Sequence, residues 1–220
     1  MSSTSPQIRP AKGEARRDGR HADLRGTARQ RLLDAALAEL SERGYAGASL
    51  QAIAERAGLT RGAIYWNFQS KEELFLALLE ERVDRRALEL IRVTETAPAD
   101  TPTAGAVSEG LVRLVREQRD LIMLLFEHWA LAVRDPKLRP GFARRQSVLR
   151  KALAGALEAR HATVGVPLSY PAERLAMAII ALANGLAMTA LAEPGAVSDQ
   201  LLGEILDLLY EGLDARHRNL

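Results

Sequence analysis

The segment from Ser49 to Lys71 carries side chains suited to contact with nucleic acid. Thr60, Arg61 and Gly62 stand at the predicted start of a short helix. Free backbone N–H groups and the positive end of the helix dipole favour phosphate or carbonyl oxygens at such a position. Gly62 permits close approach of the backbone, and Arg61 suits a guanine edge and a phosphate equally well. The segment therefore predicts a surface that contacts DNA.

Two short helices joined by a tight turn must position these groups. Ser49 can cap the first helix and Thr60 the second, because each hydroxyl can accept an N–H group that a helix start leaves unpaired. Gly58 suits the chain reversal between them. Small apolar side chains form the inner faces: Ile53, Ala54, Ala57, Ala63 and Ile64. The outer face of the second helix holds Thr60, Arg61, Gly62, Tyr65, Trp66 and Asn67. This layout predicts a helix-turn-helix.

The aromatic side chains of this segment admit two interpretations. In one, Tyr65, Trp66 and Phe68 are ordinary core residues of a surface helical hairpin. In the other, Tyr65 and Trp66 belong to a DNA-binding face. Aromatic residues make up only 5% of the chain, so their clustering here favours the second interpretation. Ser49 and Gln51, on the first helix, can reach the DNA backbone or a flanking base.

The segment resembles the recognition unit of the TetR (tetracycline-repressor-like) family of bacterial regulators. The resemblance begins at Thr27 and rests on Gly44-Tyr45, Ser49-Leu50, Ile53-Ala54, Ala57-Gly58-Leu59, Gly62, Ile64-Tyr65, Asn67-Phe68 and Lys71. The run RGAIYWNF is most similar to the multidrug-efflux-repressor branch. Many members carry His where this chain has Asn67, a departure that bears on the target sequence. By resemblance, the residues that bind phosphates are Tyr65, Trp66, Asn67 and Lys71.

The amino-acid composition limits which fold classes and kinds of site are possible. The 220 residues are 47% hydrophobic, with a core of mostly aliphatic side chains that favours helices over sheets. The net charge is only +2, so DNA affinity must come from local placement of basic groups. There is no cysteine, which excludes disulfides and thiolate metal sites. The four histidines show no ligand spacing, and no acid–base pair or nucleophile elbow is present. We expect no enzyme, metal or cofactor.

Proline positions divide the chain into helices, since proline breaks helix interiors. The prediction is an all-α fold of nine helices without strands. Two are the short helices above, and the others span about 27–43, 70–93, 104–118, 120–134, 139–161, 171–192 and 198–215. Residues 1–25 form a predicted disordered basic arm, which either enters the minor groove or simply solubilises the chain. Residues 26–71 then form the DNA-binding domain, and 72–220 the effector-binding and dimerisation domain.

An uncharged stretch from Leu175 to Ala192 is long enough for a membrane span. It is rich in alanine and is interrupted by Asn184, Gly185 and Thr189. We therefore interpret it as a buried helix, packed on two sides, of a soluble cytoplasmic protein.

The helix predicted at 120–134 holds Met123, Phe126, His128 and Trp129. These side chains either line a pocket for an apolar or cationic aromatic ligand or are ordinary core. The resemblance favours the pocket, because family members bind effectors among these helices. Asn184 and Met188 are candidates from another helix.

The last two helices carry more apolar residues than one core needs. By resemblance, they form a four-helix homodimer interface through Ile179, Leu182, Leu186, Leu202, Ile205, Leu209 and Leu213. Two-fold symmetry then places two recognition helices about 34–36 Å apart on a palindromic operator. The sequence thus predicts a ligand-released repressor; the alternatives are an activator, a ligand-independent regulator or an all-α enzyme.

Overall fold

The structure is a computed structural model that describes residues 14–98, 101, 103–165, 167–168 and 170–218, with side chains from 27 to 212. This part of the chain is all-α, as predicted, with nine helices and no strand. The helices are α1 (Glu14–Gly47), α2 (Leu50–Arg56), α3 (Arg61–Asn67), α4, α5 (Ala104–Glu117), α6 (Arg119–Arg134), α7 (Arg139–Val164), α8 (Ala172–Ala192) and α9 (Leu201–Arg218). Helix α4 consists of Lys71–Leu79, a π-helical turn at Glu80–Asp84, and Arg85–Thr96.

Helix α1 begins earlier than the sequence analysis predicts. It starts at Glu14, so the predicted start near residue 27 is wrong. The reason is that 14–26 contains no proline and several good helix formers, so the helix continues through Gly19 and Gly26. Residues 1–13 of the predicted arm lie outside the described residues. The predicted stop is confirmed, because Gly44 interrupts the helix with φ +69°.

The head, formed by α1–α3 and predicted to bind DNA, shares its core with the rest of the protein. One face of α1 is fully buried through Leu32, Leu33, Ala36 and Leu40. The same apolar cluster continues through the two short helices, α4 and α6. The predicted functional boundary between residues 71 and 72 therefore does not coincide with a gap in the core.

A second core fixes the position of α8 and α9. Leu157 of α7, Ala176 of α8 and Leu202 of α9 are buried within it. Helix α9 crosses α5 so closely that a Cβ on Gly203 would lie 3.1 Å from the Gly105 Cα. This distance is tighter than an ordinary van der Waals contact, so the close crossing of the two helices favours glycine at position 203.

Helix α8 is packed along one side only. It is the one helix in the described ranges that is long and apolar enough to cross a membrane, and 22% of its most apolar window is buried. Leu175, Ala176 and Ile179 face the second core, whereas Met177 and Met188 are exposed. The prediction that this helix is buried on two sides is therefore wrong for a single chain.

Candidate nucleic-acid interface and ligand cavity

The helix-turn-helix forms with the predicted caps. The Ser49 hydroxyl accepts a hydrogen bond from the Ala52 N–H at 3.1 Å, and the Thr60 hydroxyl accepts one from the Ala63 N–H at 3.3 Å. Gly58 turns the chain with φ +64°. Arg31 of α1 donates to the Ala57 carbonyl oxygen at 2.5 Å, which satisfies an acceptor that the end of α2 leaves free. The turn is therefore fixed by both local and tertiary hydrogen bonds.

The outer face of α3 presents charged and aromatic groups to solvent. Thr60, Arg61 and Gly62 are exposed at its N-terminus. The Arg61 guanidinium lies 5.7 Å from the centre of the Tyr65 ring, in the range of a cation–π contact. Trp66 is 71% exposed, which is unusual for so large an apolar side chain. Such a face is suited to a partner that covers it.

Three other predicted contact residues have hydrogen bonds within the head. The Asn67 side-chain amide donates to the Ala63 carbonyl oxygen at 2.8 Å, and this side chain is half-buried rather than fully outward. The Gln51 amide donates to the Glu55 carboxylate at 3.0 Å. The Ser49 hydroxyl keeps its own O–H available, because its cap bond uses only an acceptor position.

Lys71 has a structural position that the sequence analysis did not predict. Its ammonium donates to the carbonyl oxygens of Tyr45, Ala46 and Ala48 at 2.6, 3.2 and 2.9 Å. These bonds use all three of its donors. Burial lowers the pKa of Lys71, opposed by the nearby Glu127 carboxylate. The geometry therefore assigns Lys71 to holding the end of α1, and it leaves no donor for the predicted phosphate contact.

Glu127 of α6 completes this junction and was missed by the sequence analysis. Its carboxylate accepts hydrogen bonds from the backbone N–H groups of Tyr45 at 3.0 Å and Ala46 at 3.3 Å. These N–H groups are free because Gly44 breaks the helix just before them. No sequence signal identifies Glu127, since its partners are backbone groups more than 80 positions away. The contact ties the DNA-binding head to the C-terminal domain.

His128, predicted to line an effector pocket, is instead packed in this junction. It is fully buried, and its ring lies 4.8 Å from that of Tyr45, 5.0 Å from Phe75 and 6.1 Å from Phe142. Burial lowers its pKa from 6.5 to about 4. Packing of the neutral ring therefore contributes fully to stability above pH 6.5, the ordinary pKa of His. This contribution is lost as the pH falls from 6.5 through the lowered pKa of His128.

A cavity of about 390 Å³ lies among α4–α9. Asn184 lines it, as predicted, and the other predicted pocket residues do not. Met123 and Trp129 are 50% and 48% exposed, Met188 is exposed, and Phe126 packs against the first core. The error lies in the phase of α6, which turns Ile122 and Leu125 to the cavity instead.

A buried ion pair forms part of the cavity wall. Arg145 donates to both carboxylate oxygens of Asp84 at 3.0 and 2.6 Å. Burial raises the pKa of Asp84, and the charge of Arg145 opposes this change. Asp84 is the last residue of the π-helical turn in α4, a feature that frequently occurs at functional sites.

The predicted dimer residues divide into two groups. Ile179 and Leu202 are buried in the chain's own second core and line the cavity, so their assignment to a dimer interface is wrong. Leu182, Leu186 and Ile205 are partly buried within the chain. Leu209 is 40% exposed, beside the more exposed Leu208. The side chain of Leu213 lies outside the described residues.

We predict that Arg61→Ala and Tyr65→Ala each weaken operator binding by about 1–3 kcal/mol, since both side chains face outward from α3. Fluorescence anisotropy with labelled operator DNA measures the change. Arg92→Ala, which removes an exposed arginine of α4, is the control and should bind normally. Helicity should be unchanged in all three variants. Normal operator affinity in the Arg61 or Tyr65 variant would contradict the assignment of α3 as the recognition helix.

We predict that Lys71→Met lowers the free energy of unfolding by about 1–3 kcal/mol, because three carbonyl oxygens lose a charged donor. Urea unfolding measures this change, with the exposed Lys151→Met as control. The salt dependence of operator binding distinguishes the two roles of Lys71. A structural role leaves the slope of log affinity against log salt unchanged. A normal stability together with a slope reduced by about one would instead indicate a lost phosphate contact.

Comparison with known proteins identifies both parts of the chain. Residues 32–78 match the model of bacterial regulatory proteins of the tetR family. Residues 101–212 match the tetracyclin repressor-like C-terminal domain. The HTH-type transcriptional repressor AcnR of Corynebacterium efficiens is 33% identical over 189 residues, which are 82% of this chain and 89% of AcnR. The regulator TtgR of Pseudomonas putida is 32% identical over 84% of this chain and 90% of its own length.

Solved structures share the fold. A transcriptional regulator from Pseudomonas aeruginosa aligns with a TM-score of 0.68 and 24% identity, over 87% of this chain and 92% of its own. The multidrug binding protein EbrR, solved with proflavin, aligns with a TM-score of 0.56 and 22% identity over 83% of this chain and 99% of its own. AcnR and TtgR are transcriptional regulators, not enzymes. This chain belongs to the TetR family of DNA-binding transcriptional regulators.

Proposed function

We propose that this regulator is a homodimeric cytoplasmic repressor, which binds a palindromic operator and leaves it when a small molecule occupies the cavity. One observation carries the proposal: α6 contacts the cavity and the head at once. Ile122 and Leu125 line the cavity, and Glu127 holds the backbone of Tyr45. A ligand that displaces α6 therefore also displaces the contact that holds the head.

Helix α4 provides a second connection. Phe75, near its start, is fully buried against the head. Ala87 and Leu90, beyond the π-helical turn, line the cavity. Packed helices respond to such a change by rigid-body shifts, because cores are too dense to deform continuously. A coupling of about 1–3 kcal/mol between cavity and operator is enough to change operator occupancy measurably.

The relatives support the direction of regulation. AcnR is named a repressor, and EbrR is named a multidrug binding protein and was solved with proflavin. A second candidate has its own support, because FasR of Mycolicibacterium smegmatis, 32% identical over 54% of this chain, is named an activator. Deleting the gene should raise transcription of its target if the protein represses and lower it if the protein activates.

The unpaired apolar face of α8 and α9 supports the dimer. Met177 and Met188 of α8 and Leu208 and Leu209 of α9 are exposed. A two-fold mate that packs the same four side chains against their copies removes this surface from water. The same symmetry sets the two recognition helices about 34–36 Å apart, the separation of successive major grooves.

The decisive experiment combines operator and effector. An inverted repeat near the gene supplies candidate operator DNA, and anisotropy measures its affinity for the purified protein. Addition of a releasing ligand should lower the affinity saturably, with one dimer bound per operator. If the protein binds the inverted repeat and no ligand changes the affinity, the protein is a DNA-binding regulator and the proposed ligand release is wrong.

We predict that Leu209→Arg converts the dimer to monomers, because a guanidinium near the two-fold axis is desolvated and meets its own copy. Sedimentation velocity measures the oligomeric state. Val93→Arg places the same charge at an exposed valine of α4 and should remain dimeric. A soluble Leu209→Arg dimer would place the interface elsewhere.

We predict that Glu127→Ala weakens operator binding by about tenfold without touching DNA, because the head is then less firmly oriented. The backbone amides of Tyr45 and Ala46 should exchange with solvent faster, as hydrogen–deuterium exchange measures. Glu127→Gln keeps one acceptor oxygen and should give an intermediate result. Glu109→Ala, at an exposed position of α5, should match the unmodified protein. Unchanged exchange in Glu127→Ala would show that this carboxylate does not hold the junction.

A further inference from the structure

The cavity wall is aliphatic. Its apolar lining comes from Leu, Ile, Val and Ala side chains of six helices, with Pro194 and Gly195 between α8 and α9. Over the described ranges, no Phe, Tyr, Trp or Met contributes to it. Flat aromatic cations are held by stacking on rings and by carboxylates, and this wall offers no ring. The expectation of an aromatic ligand, which rested on Phe126 and Trp129, is therefore not supported by the cavity itself.

The inner part of the wall carries no net charge. Its only carboxylate among the described lining residues, Asp84, accepts both hydrogen bonds of the bidentate pair with Arg145. Because Arg145 already balances the charge of this carboxylate, the pair offers a cationic ligand little net attraction. Away from the solvent-exposed rim, the lining has two further polar groups, Gln146 and Asn184, which are neutral amides. The interior thus suits a hydrocarbon chain.

Two further arginines lie where the wall meets solvent. Arg116, near the end of α5, has a side chain that is 63% exposed. Its guanidinium donates to both carboxylate oxygens of Asp199, one of them at 3.0 Å. Arg119, at the start of α6, is also exposed and donates to the Leu191 carbonyl oxygen at 3.2 Å. Both line the cavity. A guanidinium has five N–H donors, and these bonds leave donors on each side chain for an anion.

The charges of the wall therefore favour one sign of ligand. Three guanidiniums, those of Arg116, Arg119 and Arg145, line the cavity. Asp84 balances the charge of Arg145, and Asp199, beside the lining, balances that of Arg116, so the charge of Arg119 is the unbalanced one. A carboxylate head group held at Arg116 and Arg119 stays in partial contact with water, so it avoids the cost of full burial. An ammonium head group at the same place meets the unbalanced charge of Arg119.

We propose that the cavity binds an unbranched aliphatic carboxylate, with its chain in the aliphatic interior and its head group at Arg116 and Arg119. That this ligand is the effector rests on the proposed ligand-released regulation; the chemical class rests on the cavity alone. Binding is therefore measured first without DNA.

The test uses three ligands of equal chain length: octanoate, octylamine and 1-octanol. Isothermal titration calorimetry at pH 7 and low salt should show octanoate binding about tenfold more tightly than octylamine, with a difference that shrinks as salt is added. Butanoate should bind about a hundredfold more weakly than octanoate, because each buried methylene contributes about threefold to fourfold in affinity. Equal affinities of butanoate and octanoate would place the ligand outside the cavity and overturn the proposal.

Variants of the two arginines test the head-group site. In the double variant Arg116→Met and Arg119→Met, the preference for octanoate over octylamine should fall to about threefold or less, and 1-octanol should bind as before. Arg113→Met, an exposed arginine of α5 outside the lining, is the matched control and should keep the preference. Octylamine binding at least as tightly as octanoate, or a preference that survives in the double variant, would overturn the proposal.

Measurements of operator binding then distinguish a failure of the proposed ligand class from a failure of the proposed ligand-released regulation. If octanoate binds as described but leaves operator affinity unchanged, the ligand class stands and its role as effector fails. If octanoate does not bind and a cation such as proflavin releases the operator, the ligand class is wrong and ligand-released regulation stands.

Discussion

The structure depends on one turn of backbone, residues 45–48, which cannot satisfy its own hydrogen-bonding groups. Gly44 breaks α1, so the turn begins with free N–H groups and ends with free carbonyls. Glu127 accepts from the former and Lys71 donates to the latter. An anion thus meets the positive end of the turn and a cation its negative end. Because these side chains belong to α6 and α4, the head is oriented by two of the helices that line the cavity.

The apolar packing around this turn restricts how the head can move. The first core is continuous from the head to α4 and α6, so the head cannot pivot without repacking side chains such as Phe75 and His128. His128 makes that repacking depend on charge: its buried ring is neutral, and a proton there would be a desolvated charge among aromatic rings. The junction combines polar bonds that set the orientation with apolar packing that resists change.

Local sequence signals predicted the helix-turn-helix well. Ser49, Gly58 and Thr60 act within three or four residues of their own position, so their roles follow from the sequence around them. Lys71 and Glu127 bind backbone groups far away in the chain, which no local pattern records. The pocket prediction failed for a related reason. In an apolar helix such as α6, many faces satisfy the pattern, and only the tertiary packing decides whether Trp129 or Leu125 turns inward.

The π-helical turn at Glu80–Asp84 explains how α4 serves two cores. Each residue of an α-helix advances the direction of its side chain by about 100°, and a π turn adds one residue without adding a turn. Phe75 before this turn and Leu90 after it therefore lie in different helical registers of one continuous helix, α4. In evolutionary terms, loss of a single residue at this turn would restore a regular helix and rotate the cavity-lining face away from its partners. Relatives with and without this insertion would thus differ in which helix faces select the ligand, even where their DNA-binding heads are alike.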